Sequence, residues 1–142
     1  MIIDQAHPYR EKIIGLLTAE KLPVADLPET LDNFIVAIED GAVIGIGGIE
    51  IYGRYGLLRS LAVRPDFRSK GIAGKLLRRI DALCSVKGLT ELYLLTETAA
   101  DYYERKGYRK ITRAGVPEEV QQSSEFSHVC PQSAIVMRKP IS

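Results

Sequence analysis

A chain of 142 residues is long enough to bury a sizeable core and fits one compact domain, 1–142. Its 46% hydrophobic and 26% charged residues exclude a disordered class, and a formal net charge of +1 gives no argument for nucleic acid or a membrane as partner. Two cysteines are too few for a disulfide framework, no run nears the roughly 20 apolar residues of a membrane span, and Asp4 and Glu11 break the first apolar run too early for a signal peptide, so a cytoplasmic setting is expected.

Met1 to Gln5 predicts a short strand, and Pro8 to Glu20 a helix, with Tyr9, Ile13, Leu16 and Leu17 at helical spacing behind a proline suited to a first turn. Lys21 to Asn33, with two prolines and scattered leucines, reads as a loop with one short helix. Phe34 to Glu39 and Ala42 to Tyr52 flank an Asp40-Gly41 turn, a β-hairpin signal. A second turn at Gly53-Arg54 leads into Tyr55 to Val63, so three antiparallel strands are expected. Ile72 to Lys87 then places Ile72, Ala73, Leu76, Leu77, Ile80, Leu83 and Cys84 on one helical face, with Gly88 set to end it. Leu89 to Thr96 has the apolar content of a strand buried on both faces and paired parallel to its predecessor, the helix making the crossover. Ala99 to Lys106 predicts a short helix closed by Gly107, Tyr108 to Thr112 a strand, Val116 to Ser124 a helix and Ser133 to Lys139 a last strand.

The chemistry concentrates in Leu57 to Leu77, LLRSLAVRPDFRSKGIAGKLL. Between Arg64 and Arg79 stand six basic residues, Arg64, Arg68, Lys70, Lys75, Arg78 and Arg79, against one carboxylate, Asp66. A basic glycine loop between strand and helix aims backbone N–H groups and the positive end of the helix dipole at one point, which suits a pyrophosphate. Glycine loops with solvated lysines also arise for geometry alone. Here a strand ending Leu61-Ala62-Val63, the Arg-x-x-Gly-x-Ala spacing of Arg68 to Ala73 and an amphipathic helix occur together. In this combination the stretch resembles the acyl-CoA loop of the GNAT family of N-acetyltransferases, and the element order matches that family along nearly the whole chain.

The resemblance implies an α/β (α+β) GNAT fold: a mixed, mostly antiparallel sheet with one parallel pair, the fourth and fifth strands, and helices on both faces. It implies acetyl-CoA as co-substrate; separately, Cys84 and Cys130 with two distant histidines make no ligand spacing, so no metal is expected. Amides of Ser69, Lys70, Gly71, Ile72, Ala73 and Gly74 would hold the pyrophosphate, with charge from Arg68, Lys70 and Lys75. In this family the fourth strand bulges and splays from the fifth, freeing backbone groups for the pantetheine arm at positions matched by Leu61, Ala62 and Val63. An N–H at Leu61 would polarise the thioester, while the side chains of the same residues pack as core.

Tyr102-Tyr103-Glu104-Arg105-Lys106-Gly107-Tyr108 resembles the family's Tyr-Glu-Lys-x-Gly-Phe segment, with Tyr103 in the tyrosine position. Its hydroxyl would contact the cofactor sulfur and protonate the departing thiolate; the alternative is a tyrosine packed on a helix face. Thr96 stands where many relatives have a cofactor-contacting asparagine. Glu50 is the leading candidate for the base that deprotonates the amine, with Glu97 behind it, and a solvent-facing charge is the alternative. His7 and His128 read as surface loop residues.

Arg59 interrupts an apolar strand two residues before Leu61, on the same face by alternation. It would grip a carboxylate, phosphonate or arsenical oxyanion of the acceptor, with Ser60 beside it, or else pair with Glu50 across the hairpin. Glu125-Phe126-Ser127-His128-Val129-Cys130-Pro131-Gln132-Ser133-Ala134, with Gly56 to Leu61, resembles the arsenic-resistance branch of the family. Cys130 would line the acceptor pocket, or simply be buried. The implied reaction is acetyl transfer to the amine of a small molecule by direct attack; a peptide or protein amine, and a non-catalytic acetyl-CoA sensor, are the alternatives. Homodimers are common in the family, and nothing in the sequence specifies an interface.

Overall fold

In the computed structural model, residues 1–124, 126 and 133–141 are described. The turn chemistry of the first half is realised residue for residue. Strand β1 (Ile2–Gln5) is followed by a 3-10 turn over His7–Tyr9, which carries the proline, and helix α1 (Arg10–Ala19). Strands β2 (Phe34–Glu39) and β3 (Ala42–Tyr52) flank Asp40 and Gly41, both at positive φ (49° and 78°). A turn with Gly53 at φ 65° leads to β4 (Tyr55–Val63). Helix α2 (Ile72–Val86) ends before Gly88 at φ 74°. Strand β5 (Glu91–Thr96), helix α3 (Ala100–Arg105), strand β6 (Arg109–Ile111), helix α4 (Glu118–Gln121) and strand β7 (Ile135–Pro140) complete the order.

Hydrogen bonding orders the strands β1-β2-β3-β4-β5-β7-β6. β1 and β2, β2 and β3, β5 and β7, and β6 and β7 are antiparallel, whereas β4 and β5 are parallel. This is the mixed α/β fold with one parallel pair. The chain divides into two compact units, 1–49 with 60–83 and 50–59 with 84–142.

In the first unit, Ile13, Leu16 and Leu17 of α1 share a core with Val36, Ile46 and Ala62, while Ile72 and Leu76 of α2 share another with Ala37, Ile44 and Val63. Val36 and Ala37 are adjacent on β2 and point to opposite faces, so the two helices cover opposite sides of that strand. Gly47 permits the approach of α2: a Cβ there would stand 2.9 Å from Ile80 Cδ1. In the second unit, Leu57, Tyr93, Val116, Val120, Phe126 and Val136 form the core.

Two expected helices differ. Residues 21–33 hold turns and no helix. Pro23 and Pro28 lack N–H donors and disfavour helical backbone before them, and Leu22, Val24, Leu27 and Leu31 join the first core instead. The helix expected over Val116 to Ser124 contracts to α4, preceded by a 3-10 turn at Arg113–Gly115. The Gln121 amide caps that turn, donating to the carbonyls of Arg113 (3.2 Å) and Val116 (2.7 Å).

Candidate active site

The first unit carries the loop between β4 and α2. Ser69 and Gly71 both adopt positive φ (62° and 78°), which turns successive amides inward at the start of the 15-residue helix α2. A Cβ built on Gly71 meets nothing within 4 Å, so the loop leaves open space at its apex. The first amides of α2, from Ile72 to Gly74, have no acceptor within the helix by helical geometry. Amide donors, a helix N-terminus and a bare apex fit a pyrophosphate.

The basic residues divide into braced and exposed sets. Arg64 forks onto Asp66 (2.8 and 2.6 Å) and holds that carboxyl below the usual carboxylate range. Arg68 donates through Nε to the Val63 carbonyl at 3.1 Å and through Nη2 to Glu20 beyond α1. Lys70 lies over the Phe67 ring at 5.2 Å. Lys70, Lys75, Arg78 and Arg79 are exposed. Of the three strand-end side chains, Ala62 and Val63 are buried and Leu61 is half-buried.

Strand β4 itself is irregular where the site begins. Its parallel ladder to β5 runs over Tyr55↔Glu91, Gly56↔Leu92 and Leu57↔Tyr93, while β4 continues to Val63 and β5 to Thr96. Ser60, buried, sits at φ 61°. A non-glycine residue held there costs about 1–3 kcal/mol, a strain that concentrates at functional sites. It also interrupts the alternation that would have set Arg59 and Leu61 on one face.

In the second unit, Arg59 and Glu50 are brought together as an ion pair, Arg59 Nη1 to Glu50 Oε2 at 2.7 Å. The Arg59 side chain is 0% exposed and that of Glu50 15%, so the carboxylate is the member open to solvent. Sequence reasoning missed Tyr52, whose hydroxyl donates to Glu50 Oε1 at 2.5 Å. Burial, then Glu50, pushes the Tyr52 phenol above its ordinary range. The i, i+2 spacing of Glu50 and Tyr52 on one strand is the signal that could have found it. Ser123, which hydrogen-bonds Tyr52, and Glu20 had no such signal.

Tyr103 on α3 is buried, its ring 5.5 Å from those of both Tyr102 and Tyr108 in edge contacts. Burial, and secondarily Tyr102, raises its phenol above the ordinary 10.0, so the hydroxyl is protonated at neutral pH. Its carbonyl accepts from Tyr108 N–H at 3.1 Å, beside Gly107 at φ 97°. Thr96 does a local job, its Oγ1 accepting from Ala99 N–H at 3.0 Å ahead of α3. Glu97 is exposed in that turn, and His7 lies in the first 3-10 turn. Cys130 and most of the arsenic-branch segment lie outside the described residues, although Phe126 is in the second core. Among the described residues, no group of three or more His, Cys, Asp and Glu could hold a metal, and no helix is long and apolar enough to cross a membrane.

The family model described as "Acetyltransferase (GNAT) domain" matches residues 30–110, which include β2 to α3 and the whole loop. An uncharacterized N-acetyltransferase of Chlorobaculum tepidum is 34% identical over 101 residues, 70% of this chain and 64% of that protein. An amino-acid acetyltransferase of Ralstonia nicotianae is 25% identical over 115 residues, 80% of this chain and 25% of that protein. Among solved structures, N-acetylglutamate synthase of Neisseria gonorrhoeae, complexed with coenzyme A and N-acetyl-glutamate, superposes with a TM-score of 0.82 at 18% identity, over 99% of this chain and 35% of that one. Rv2747 of Mycobacterium tuberculosis, in complex with CoA and NLQ, gives 0.83 at 21% identity with full coverage of both chains. The chain thus spans less than two thirds of the length of the curated relatives named here. By the extent of the family match, and with a fold to agree, it belongs to the GNAT acetyltransferase family.

Proposed function

We propose that this chain moves the acetyl group of acetyl-CoA to the amine of a small, amino-acid-like substrate by direct attack. The observation that carries the reading is the early end of the β4 ladder at Leu57, ahead of the strained Ser60 and the positive-φ loop. Backbone groups of Leu61 and Ala62 are then available to the pantetheine arm, the Leu61 N–H to the thioester oxygen, and the amides from Ser69 to Gly74 to the pyrophosphate, while the Val63 carbonyl already accepts from Arg68 Nε. Lys70 and Lys75 add exposed charge.

Glu50 takes the ammonium proton, being the solvent-facing member of its pair. Tyr103 gives a proton to the departing thiolate, a role supported by burial that keeps its hydroxyl protonated. Arg59, with Ser60 and Cys130, belongs to the acceptor side and reads an acid group. The amino-acid acetyltransferases among the relatives support an acceptor of that class, and arsenical and phosphonate amino-acid analogues are the sharpest form of it. A cytoplasmic setting goes with this reading.

The test is a thiol-release assay with acetyl-CoA against amino acids, their arsenical and phosphonate analogues, neutral amines, polyamines and peptides. Turnover is expected with acid-bearing small amines. Turnover confined to peptides would overturn the acceptor class, and tight acetyl-CoA binding with no turnover across the panel would overturn the reaction.

A further inference from the structure

Within the second unit one chain of hydrogen bonds runs from the backbone to a carboxylate. Phe126 N–H donates to Ser123 Oγ at 3.2 Å, and the Ser123 hydroxyl bonds the Tyr52 oxygen. The Tyr52 hydroxyl donates to Glu50 Oε1 at 2.5 Å, while Arg59 Nη1 holds Oε2 at 2.7 Å. Ser123 is 3% exposed, so its end of the chain is buried, while Tyr52 is half-buried. Every donor in this chain points toward Glu50, and aligned bonds of this kind polarise one another. The two carboxylate oxygens therefore have anchors of different kinds. Oε1 is tied through two hydroxyls to the backbone, and Oε2 is tied to a fully covered cation.

In the reading above, Glu50 is the base and Arg59 meets the acceptor's acid group. In the arrangement found, each occupies the other. We propose that the acceptor's own carboxylate or phosphonate replaces Glu50 Oε2 at Arg59, and that Tyr52 is the positioning residue that keeps Glu50 in place through Oε1 during the exchange. Released from Arg59, Oε2 takes one proton from the substrate ammonium. The freed nitrogen lone pair forms the C–N bond and the C–S bond breaks. The sulfur receives one proton from Tyr103, the second N–H proton restores the Tyr103 hydroxyl as the amide forms, and the proton held by Glu50 passes to solvent. Exchanging one anion for another keeps the buried guanidinium paired throughout, which avoids the heavy penalty of an uncompensated buried charge. An amine with no acid group leaves the pair closed. The acid group is thus read in kcat as well as in KM.

This inference rests on the proposed acetyl transfer, and its test separates the two. Turnover is measured for an amino acid and for its decarboxylated amine, each with and without added acetate, in the wild type and in Tyr52→Phe. The wild type is expected to show a higher kcat on the amino acid, and acetate to raise kcat on the decarboxylated amine by occupying Arg59. Tyr52→Phe should lower kcat on the amino acid about tenfold, a barrier change of about 1.4 kcal/mol, while KM for acetyl-CoA stays unchanged. Turnover of the amino acid together with acetate that is inert or inhibitory toward the decarboxylated amine would overturn the exchange. A wild-type kcat in Tyr52→Phe would overturn the positioning role. Absence of turnover on every amine would remove the underlying activity, and this inference with it.

Discussion

Arg68 Nε donates to the Val63 carbonyl at 3.1 Å, tying the first residue of the glycine loop to the last residue of β4. The same guanidinium reaches Glu20, so three points of the first unit meet on one planar group. Arg68 therefore braces the loop, and in the proposed cofactor site its charge comes second to that. Arg68→Ala is expected to weaken CoA binding about tenfold by loosening the loop, on the scale of one or two lost hydrogen bonds of about 1 kcal/mol each. Arg68→Lys should restore little, because an ammonium cannot span a carbonyl and a carboxylate as a fork does. Calorimetric titration with CoA measures both, and full affinity in Arg68→Lys would show that charge alone suffices.

For Tyr103 the prediction is kinetic. Tyr103→Phe keeps the buried ring and its edge contacts with Tyr102 and Tyr108 and removes only the hydroxyl. General acid catalysis contributes about 10²–10⁴-fold, so kcat should fall within that range with little change in KM for acetyl-CoA. Because burial raises the phenol above 10.0, the hydroxyl stays protonated through pH 9 and the deficit of the variant should be constant from pH 7 to 9. A deficit that vanishes across that interval, or none at all, would remove Tyr103 from the chemistry.

Much of this architecture is legible from residue order because local and global preferences agree. Asp40-Gly41 dictates the hairpin, the apolar stripe from Ile72 to Cys84 dictates α2, and β2, β3 and β4 fall at their expected limits. The loop was legible for the same reason, since Gly71 at positive φ leaves its own mark in the sequence. Ser60 at φ 61° leaves none, because serine carries no preference for that conformation and only the surrounding sheet enforces it. Arg59 admits two readings that a one-dimensional pattern cannot separate, and its side-chain exposure of 0% describes an ion pair in the resting arrangement. The partners of Glu50 and Arg68 were the least legible. Ser123 and Glu20 lie far along the chain from Tyr52 and Arg68, and only tertiary packing makes them neighbours.

Stability should fall on the alkaline side. Tyr103 and Tyr52 are both raised above 10.0, chiefly by burial, so in the interval above that value the unfolded chain loses protons that the folded chain keeps. Their contribution is complete below pH 10 and declines as pH rises toward the folded values. For the well-buried Tyr103 the slope approaches about 1.4 kcal/mol per pH unit. Urea unfolding between pH 8 and 11 reads this directly, and Tyr103→Phe should flatten the decline. An equally steep fall in that variant would assign the alkaline loss to other groups.

The Arg59–Glu50 pair predicts an asymmetry between its two halves. Glu50→Gln withdraws the negative charge from a guanidinium with no access to water, and breaking a buried pair in this sense costs about 3–5 kcal/mol. Arg59→Met leaves a carboxylate that is 15% exposed and still receives the Tyr52 hydroxyl, so it can recruit solvent and should cost less. The double variant should recover part of the Glu50→Gln loss, since a neutral pair of similar bulk has no charge to desolvate. Urea unfolding of the four proteins closes the double-mutant cycle, with a coupling energy well above the ~0.5 kcal/mol expected of independent sites. Kinetics then separate structure from recognition. Arg59→Met should raise KM for an acid-bearing acceptor much more than for a neutral amine, whereas equal increases would leave Arg59 a structural counter-ion of Glu50 with no part in reading the substrate.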